Sequence, residues 1–106
     1  MTAAIKLIVA ADEPALFFSS IEAAQRSLEW IDVRDGVYPV AYDPDGNVYR
    51  LQYEGQKVII ERDGNRCDPA ALNALLRKFI AAVYMPVKSE DNSFLLSLCA
   101  KHIERY

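Results

Sequence analysis

Glycine, histidine and cysteine are scarce in this sequence, and each shortage removes a class of chemistry. Only four glycines occur among 106 residues. All four (Gly36, Gly46, Gly55 and Gly64) stand in turn contexts, so no glycine-rich loop is present to cradle a phosphate. His102 is the single histidine, and no second histidine or cysteine lies at a spacing that would share a metal with it. It is read as a surface or core-edge residue. The two cysteines, Cys67 and Cys99, form no CxxC pair, and a secreted domain stapled by disulfides would carry more. Ser19, Ser20, Ser89, Ser93 and Ser97 lack the GxSxG setting of a hydrolase nucleophile. Long apolar runs are also missing. The stretch from Ile5 to Ala11 is broken by Lys6, is too short to span a bilayer and has no positive leader. It reads as a strand, and the expected location is the cytoplasm.

These absences point to a chain without catalytic residues, cofactor or metal. Acidic pairs are present, at Asp32 with Asp35, Asp43 with Asp45, and Glu90 with Asp91. They fall in turns and helix starts, where Asp and Glu satisfy backbone amides. The run Asp43-Pro44-Asp45-Gly46-Asn47 has its glycine and its following acid at the wrong positions for a helix-flanked calcium loop. A hairpin turn accounts for all five residues.

The composition is that of one self-sufficient domain. Fifty-two per cent of residues are hydrophobic and 25% charged, which is too apolar for a disordered chain. No repeat, linker or low-complexity tract divides residues 1–106. The net charge of −3 is unevenly spread. Residues 1–55 carry four positive and nine negative side chains, 4 − 9 = −5, and the remainder eight and six, 8 − 6 = +2. The acidic half lacks the basic footprint that nucleic acid requires, and suits an encounter with a basic protein.

The pattern of apolar residues predicts an α+β fold. Ala4–Val9 should be extended, with Pro14 in a break before Leu16-Phe17-Phe18 resumes. Ser19-Ser20-Ile21-Glu22 reads as a capping box, starting a helix that runs to Glu29 and buries Ile21, Ala24 and Leu28. Tyr38–Tyr42, Val48–Tyr53 and Lys57–Arg62 are rich in aromatic and β-branched residues. Their short links make a three-stranded antiparallel meander. Alternation puts Tyr49, Leu51 and Tyr53 on one face, with Val58 and Ile60 sharing a face on the third strand. Asp68-Pro69 starts a second helix, with Leu72, Leu75, Leu76, Phe79, Ile80 and Val83 facing the core. A third helix begins at Asp91–Ser93 and presents Phe94, Leu95, Leu98, Cys99 and Ile103. Its closing turn carries Lys101 and Arg105. The two C-terminal helices are expected to pack on the sheet as an antiparallel pair.

Tyrosine is what stands out. Four of six tyrosines, Tyr38, Tyr42, Tyr49 and Tyr53, fall in the meander. They can simply cover a half-buried sheet, or can serve as interface anchors that bury a ring and keep a polar tip. Asp32, Asp35, Asp43, Asp45 and Glu54 surround them in sequence, giving an aromatic patch with an acidic rim. These nine residues are the candidate partner-binding set.

Between residues 17 and 51 the pattern Phe17, Ser19, Glu22, Ala24, Leu28-Glu29, Ile31-Asp32-Val33, Gly36, Tyr38, Tyr42-Asp43, Gly46 and Leu51 resembles small bacterial immunity proteins. Such proteins are encoded beside polymorphic or contact-dependent toxins. The resemblance implies a small, non-enzymatic, cytoplasmic protein that binds and neutralises one cognate toxin domain, with a basic nuclease as one suitable target. Nucleic acid and membranes are not expected as partners. The other readings are a regulatory or adaptor module with a different protein partner and, last, a small enzyme that would need a pocket pairing His102 with a carboxylate.

Overall fold

Leu7, Ile8 and Val9 are consecutive on one strand, and none of the three retains solvent exposure. Successive strand residues point to opposite faces, so a strand with no exposed member needs cover on both sides. The computed structural model, which describes residues 4–104, provides that cover. An antiparallel five-stranded sheet lies between two layers of helices.

The strands are β1 (Leu7–Ala10), β2 (Ala15–Phe18), β3 (Ala41–Tyr42), β4 (Asn47–Glu54) and β5 (Lys57–Cys67), in spatial order β2-β1-β3-β4-β5. The expected meander is β3-β4-β5, but its first strand shrinks from Tyr38–Tyr42 to Ala41–Tyr42 and its third runs past Arg62 to Cys67. The two N-terminal apolar runs add a hairpin to it, which places β1 inside the sheet between β2 and β3. Pairing is Ile8 with Phe17 and Tyr42, and Tyr42 with Val48, so these four form one row across the sheet. The next row, Leu16, Val9, Ala41 and Tyr49, faces the other way. The Leu51 and Ile60 pair also lies on that second face.

Helices α1 (Ile21–Ser27) and α2 (Trp30–Arg34) cover the face of Leu7, Val9, Phe18, Val58 and Ile60. Helices α3 (Pro69–Val83) and α4 (Asn92–Cys99) cover the face of Ile8, Phe17, Tyr42 and Val48. Phe17 and Phe79 meet edge to face with ring centroids 4.8 Å apart. Each fully buried aliphatic or aromatic side chain in these layers contributes about 2 kcal/mol by leaving water.

Several local expectations are corrected. The cap of α1 is Ser20, whose hydroxyl accepts from the Ala23 amide at 2.9 Å. Ser20 is still extended (φ −161°, ψ 163°), so Glu22 falls one position short of the reciprocal capping site. The helix stops at Ser27 because Leu28 turns extended (φ −79°, ψ 142°), and a second short helix, α2, starts two residues later. Asp68 caps α3 as expected, accepting from the Ala71 amide at 3.0 Å.

The C-terminal helices run parallel, not antiparallel. Asn92, at the start of α4, donates to the Pro69 carbonyl and accepts from Asn73, both at the start of α3. Beyond α4, His102 instead reaches Phe79 and Tyr84 at the end of α3. The connection across residues 84–91 therefore runs back along α3. Eight extended residues reach about 26 Å, against about 22 Å for a 15-residue helix. Pro86 keeps this segment from continuing as helix. Asn73 is buried and donates from its amide nitrogen to both the Ser89 carbonyl and Asn92, each at 2.9 Å. That double bond pins the far end of the return segment. With this path, Val83 and Phe94, expected in the core, stay 43% and 47% exposed.

Both sheet edges are partly closed, as edge strands need. On β2, the Glu104 amide donates to the Phe17 carbonyl at 2.8 Å, and Ile103 bridges to Phe17 in parallel. On β5, the Ile60 amide donates to the Gln25 side chain of α1 at 2.8 Å.

The turn between β3 and β4 seats directly on α3. Gly46 has φ +87°, and a Cβ there would lie 2.7 Å from the Pro69 Cα. Its carbonyl accepts from the Asp68 amide at 2.8 Å. Gly55 also has positive φ (+62°) but nothing lies near it. Gly46→Ala should therefore lower stability by about 3 kcal/mol or more, and Gly55→Ala by about 1 kcal/mol, read as the difference in urea-unfolding midpoints. Equal losses would contradict the seating of this turn on α3.

Candidate aromatic and acidic face

The chain break at Leu28 gives α2 its importance. Leu28 is buried beneath it, and the new helix lies over β4 with Trp30 at its first turn. The Trp30 and Tyr53 rings meet at 5.7 Å and 41°. The Arg34 guanidinium sits 5.4 Å above the Trp30 ring, within cation–π range. Its charge is matched by the Asp35 carboxylate at 3.0 Å. Ile31 and Tyr53 remain 42% and 46% exposed. Helix and strand thus join half-buried Trp30 to exposed Tyr53, and the same helix exposes Ile31.

Carboxylates gather around this platform. Partial burial raises the Tyr38 hydroxyl above its usual pKa, and the charges of Asp32, Glu13, Glu29 and Asp12 raise it further. Asp12 and Glu13 come from the β1–β2 turn, and Glu29 and Asp32 from the start of α2. Tyr38 itself packs against the core under α1 and α2. The four acids give this side a negative character, and the α2 cation Arg34 is already bound to Asp35. No known family model, curated protein or solved structure matches this chain.

The structure divides the nine sequence-derived candidates into three groups. Asp32, Asp35, Tyr38 and Tyr53 belong to the face just described. Glu54 follows Tyr53 at the exposed end of β4. Tyr42 lies on the opposite side of the sheet, 8% exposed, within the core under α3 and α4. One residue separates it in phase from Ala41, which faces α1 and α2, and that single step removes it from the patch. Burial and the charge of Asp68 raise its hydroxyl, with Arg66 opposing.

Asp43, Asp45 and Tyr49 belong to the turn. One Asp43 oxygen accepts from the Asp45 and Asn47 amides, both at 3.0 Å. The other accepts from the Asn47 side chain at 2.9 Å and the Tyr49 hydroxyl at 3.3 Å. Arg62 extends the network by donating to Asn47 at 3.0 Å. Asp43 is an internal clasp with its acceptor capacity engaged. Trp30, Ile31, Glu29, Asp12 and Glu13 were missed by the sequence reading, although the lone tryptophan between Glu29 and Asp32 was the available signal.

Other chemistry is sparse. Among the described residues no group of three His, Cys, Asp or Glu side chains could hold a metal ion, and no helix is long and apolar enough to cross a membrane. Cys99 is fully buried, and burial pushes its thiol up to about 11, which suppresses the reactive thiolate. His102 lies between Phe79 and Tyr84 rather than beside a carboxylate.

The division of the acids is testable by stability alone. Asp43→Ala leaves several donors without their acceptor and should cost about 1–3 kcal/mol. Asp35→Asn, which removes one exposed ion pair, should change stability by less than about 1 kcal/mol. Urea unfolding of the two variants distinguishes them, and a silent Asp43→Ala would return Asp43 to the list of free surface acids.

Proposed function

We propose that this protein is a stoichiometric, non-enzymatic inhibitor of the immunity type, which binds one cognate toxin domain through the α2 face. The observation that carries the reading is the contact of half-buried Trp30 with exposed Tyr53, beside exposed Ile31 on the same helix, together with the acids Glu29, Asp32 and Asp35 of α2 and its ends and Asp12 and Glu13, which act with them on Tyr38. Tryptophan and tyrosine are the residues most often found at the energetic centre of protein interfaces, and charges at the rim set the encounter rate. A basic partner, such as a nuclease domain with its positive substrate cleft, complements such a surface. Inhibition then needs no chemistry from this chain: coverage of the cleft suffices. The resemblance of residues 17–51 to immunity proteins supports the same reading, and it includes Glu29, Ile31, Asp32 and Tyr38 of this face.

The two parts of the face have separable kinetic roles. Glu29→Lys with Asp32→Lys should slow association and flatten its salt dependence, while Trp30→Ala should speed dissociation by about 30-fold, the effect of a hot spot worth about 2 kcal/mol. The partner is obtained by capturing the tagged protein from its native host and identifying what stays bound in moderate salt. A single stoichiometric partner with a basic toxic domain, whose toxicity is relieved by co-expression, is the expected result. Several partners, or one partner whose binding ignores salt and survives Trp30→Ala unchanged, would overturn the proposal.

A further inference from the structure

The parallel course of α3 and α4 leaves a gap that the return segment does not fill. A cavity of about 560 Å³ opens there, within the range of about 300–1,000 Å³ that holds small organic ligands. Its walls are Ile80 and Tyr84 from the last turns of α3, Met85 and Val87 from the return segment, and Leu98 and Lys101 from α4 and the short 3-10 turn Ala100–His102 that follows it. The cavity lies in the layer opposite the α2 face, and nothing in the proposed inhibitor role uses it.

We infer that this cavity is a binding site for a medium-chain aliphatic carboxylate. The floor is hydrocarbon, and among the described residues no carboxylate lines it. Among the described residues Lys101 is the one charged residue in the lining, and its ammonium is held 5.2 Å from the Tyr84 ring centroid. The Tyr84 hydroxyl is itself tied to His102 at 2.5 Å, which fixes the wall on which the cation rests. The Ser97 hydroxyl is turned away, donating to the Phe94 carbonyl. A head group entering at this end therefore meets one positive charge with three donors, which suits a monoanion. Met85, 69% exposed, is a flexible apolar flap able to close over a tail. The remote end of the return segment is pinned by Asn73, so the cavity keeps its length when Met85 moves.

The probes are octanoate, decanoate and dodecanoate with the alcohols of the same length, titrated into the intact protein below their micellar concentrations and followed by calorimetry or amide NMR shifts. Affinity should rise about fourfold for each buried methylene until the cavity is full. Decanoate should bind more tightly than decanol, and Lys101→Gln should weaken decanoate by up to about fivefold while leaving decanol unchanged. Met85→Glu should abolish both without disturbing the circular dichroism spectrum. Equal binding of acid and alcohol, absence of a chain-length dependence, or binding that survives Met85→Glu would each overturn the assignment. So would a concentration-dependent dimer dissociated by Met85→Glu, since the groove would then belong to a second copy of the chain.

Discussion

The structure depends on the requirement that both sides of β1 be dry. Leu7 and Val9 point one way and Ile8 the other, and all three are fully buried. A sheet with one wet face cannot satisfy them. With β1 inside the sheet, β2 folds back on it through the Pro14 turn and β3 pairs on its other side, and each supplies the rows that extend its burial. Two helical layers are then obligatory. The chain supplies them in order, the first from the segment between β2 and β3 and the second from everything after β5.

The two helical layers also differ in charge. Residues 20–35, which carry α1 and α2, balance at 2 − 4 = −2, and residues 68–104, which carry α3 and α4, at 4 − 4 = 0. The molecule therefore carries two unlike surfaces on opposite sides of one sheet. One carries the Trp30 and Tyr53 contact and the acids that act on Tyr38. The other is a hydrocarbon groove with a lysine at its end. Ile31 and Tyr53 on one side, and Met85 on the other, are exposed large apolar residues.

The sequence was most legible where a local rule had no competitor. Asp68-Pro69 starts a helix because the aspartate oxygen and the missing proline amide both fit the first turn, and it does so here. Alternation on β4 held as well, since Tyr49, Leu51 and Tyr53 share the α2 side. Legibility ended where a one-residue choice depended on tertiary contacts. Ser19 and Ser20 are equivalent caps in isolation, and the pairing of Phe18 with Leu7 selects the second. Tyr42 looked like a member of the tyrosine patch until its register with Ile8 and Val48 placed it under α3. The parallel helices were hidden because an eight-residue link suggests a turn, whereas Asn73 and Asn92 hold it extended.

Hydrogen–deuterium exchange of the protein alone and bound to its captured partner tests the account most directly. Binding through the α2 face predicts slowed exchange in residues 29–38 and at the end of β4 around Tyr53, with residues 80–101 unchanged. Protection confined to residues 80–101 or to the outer edge of β5, with α2 unaffected, would contradict it.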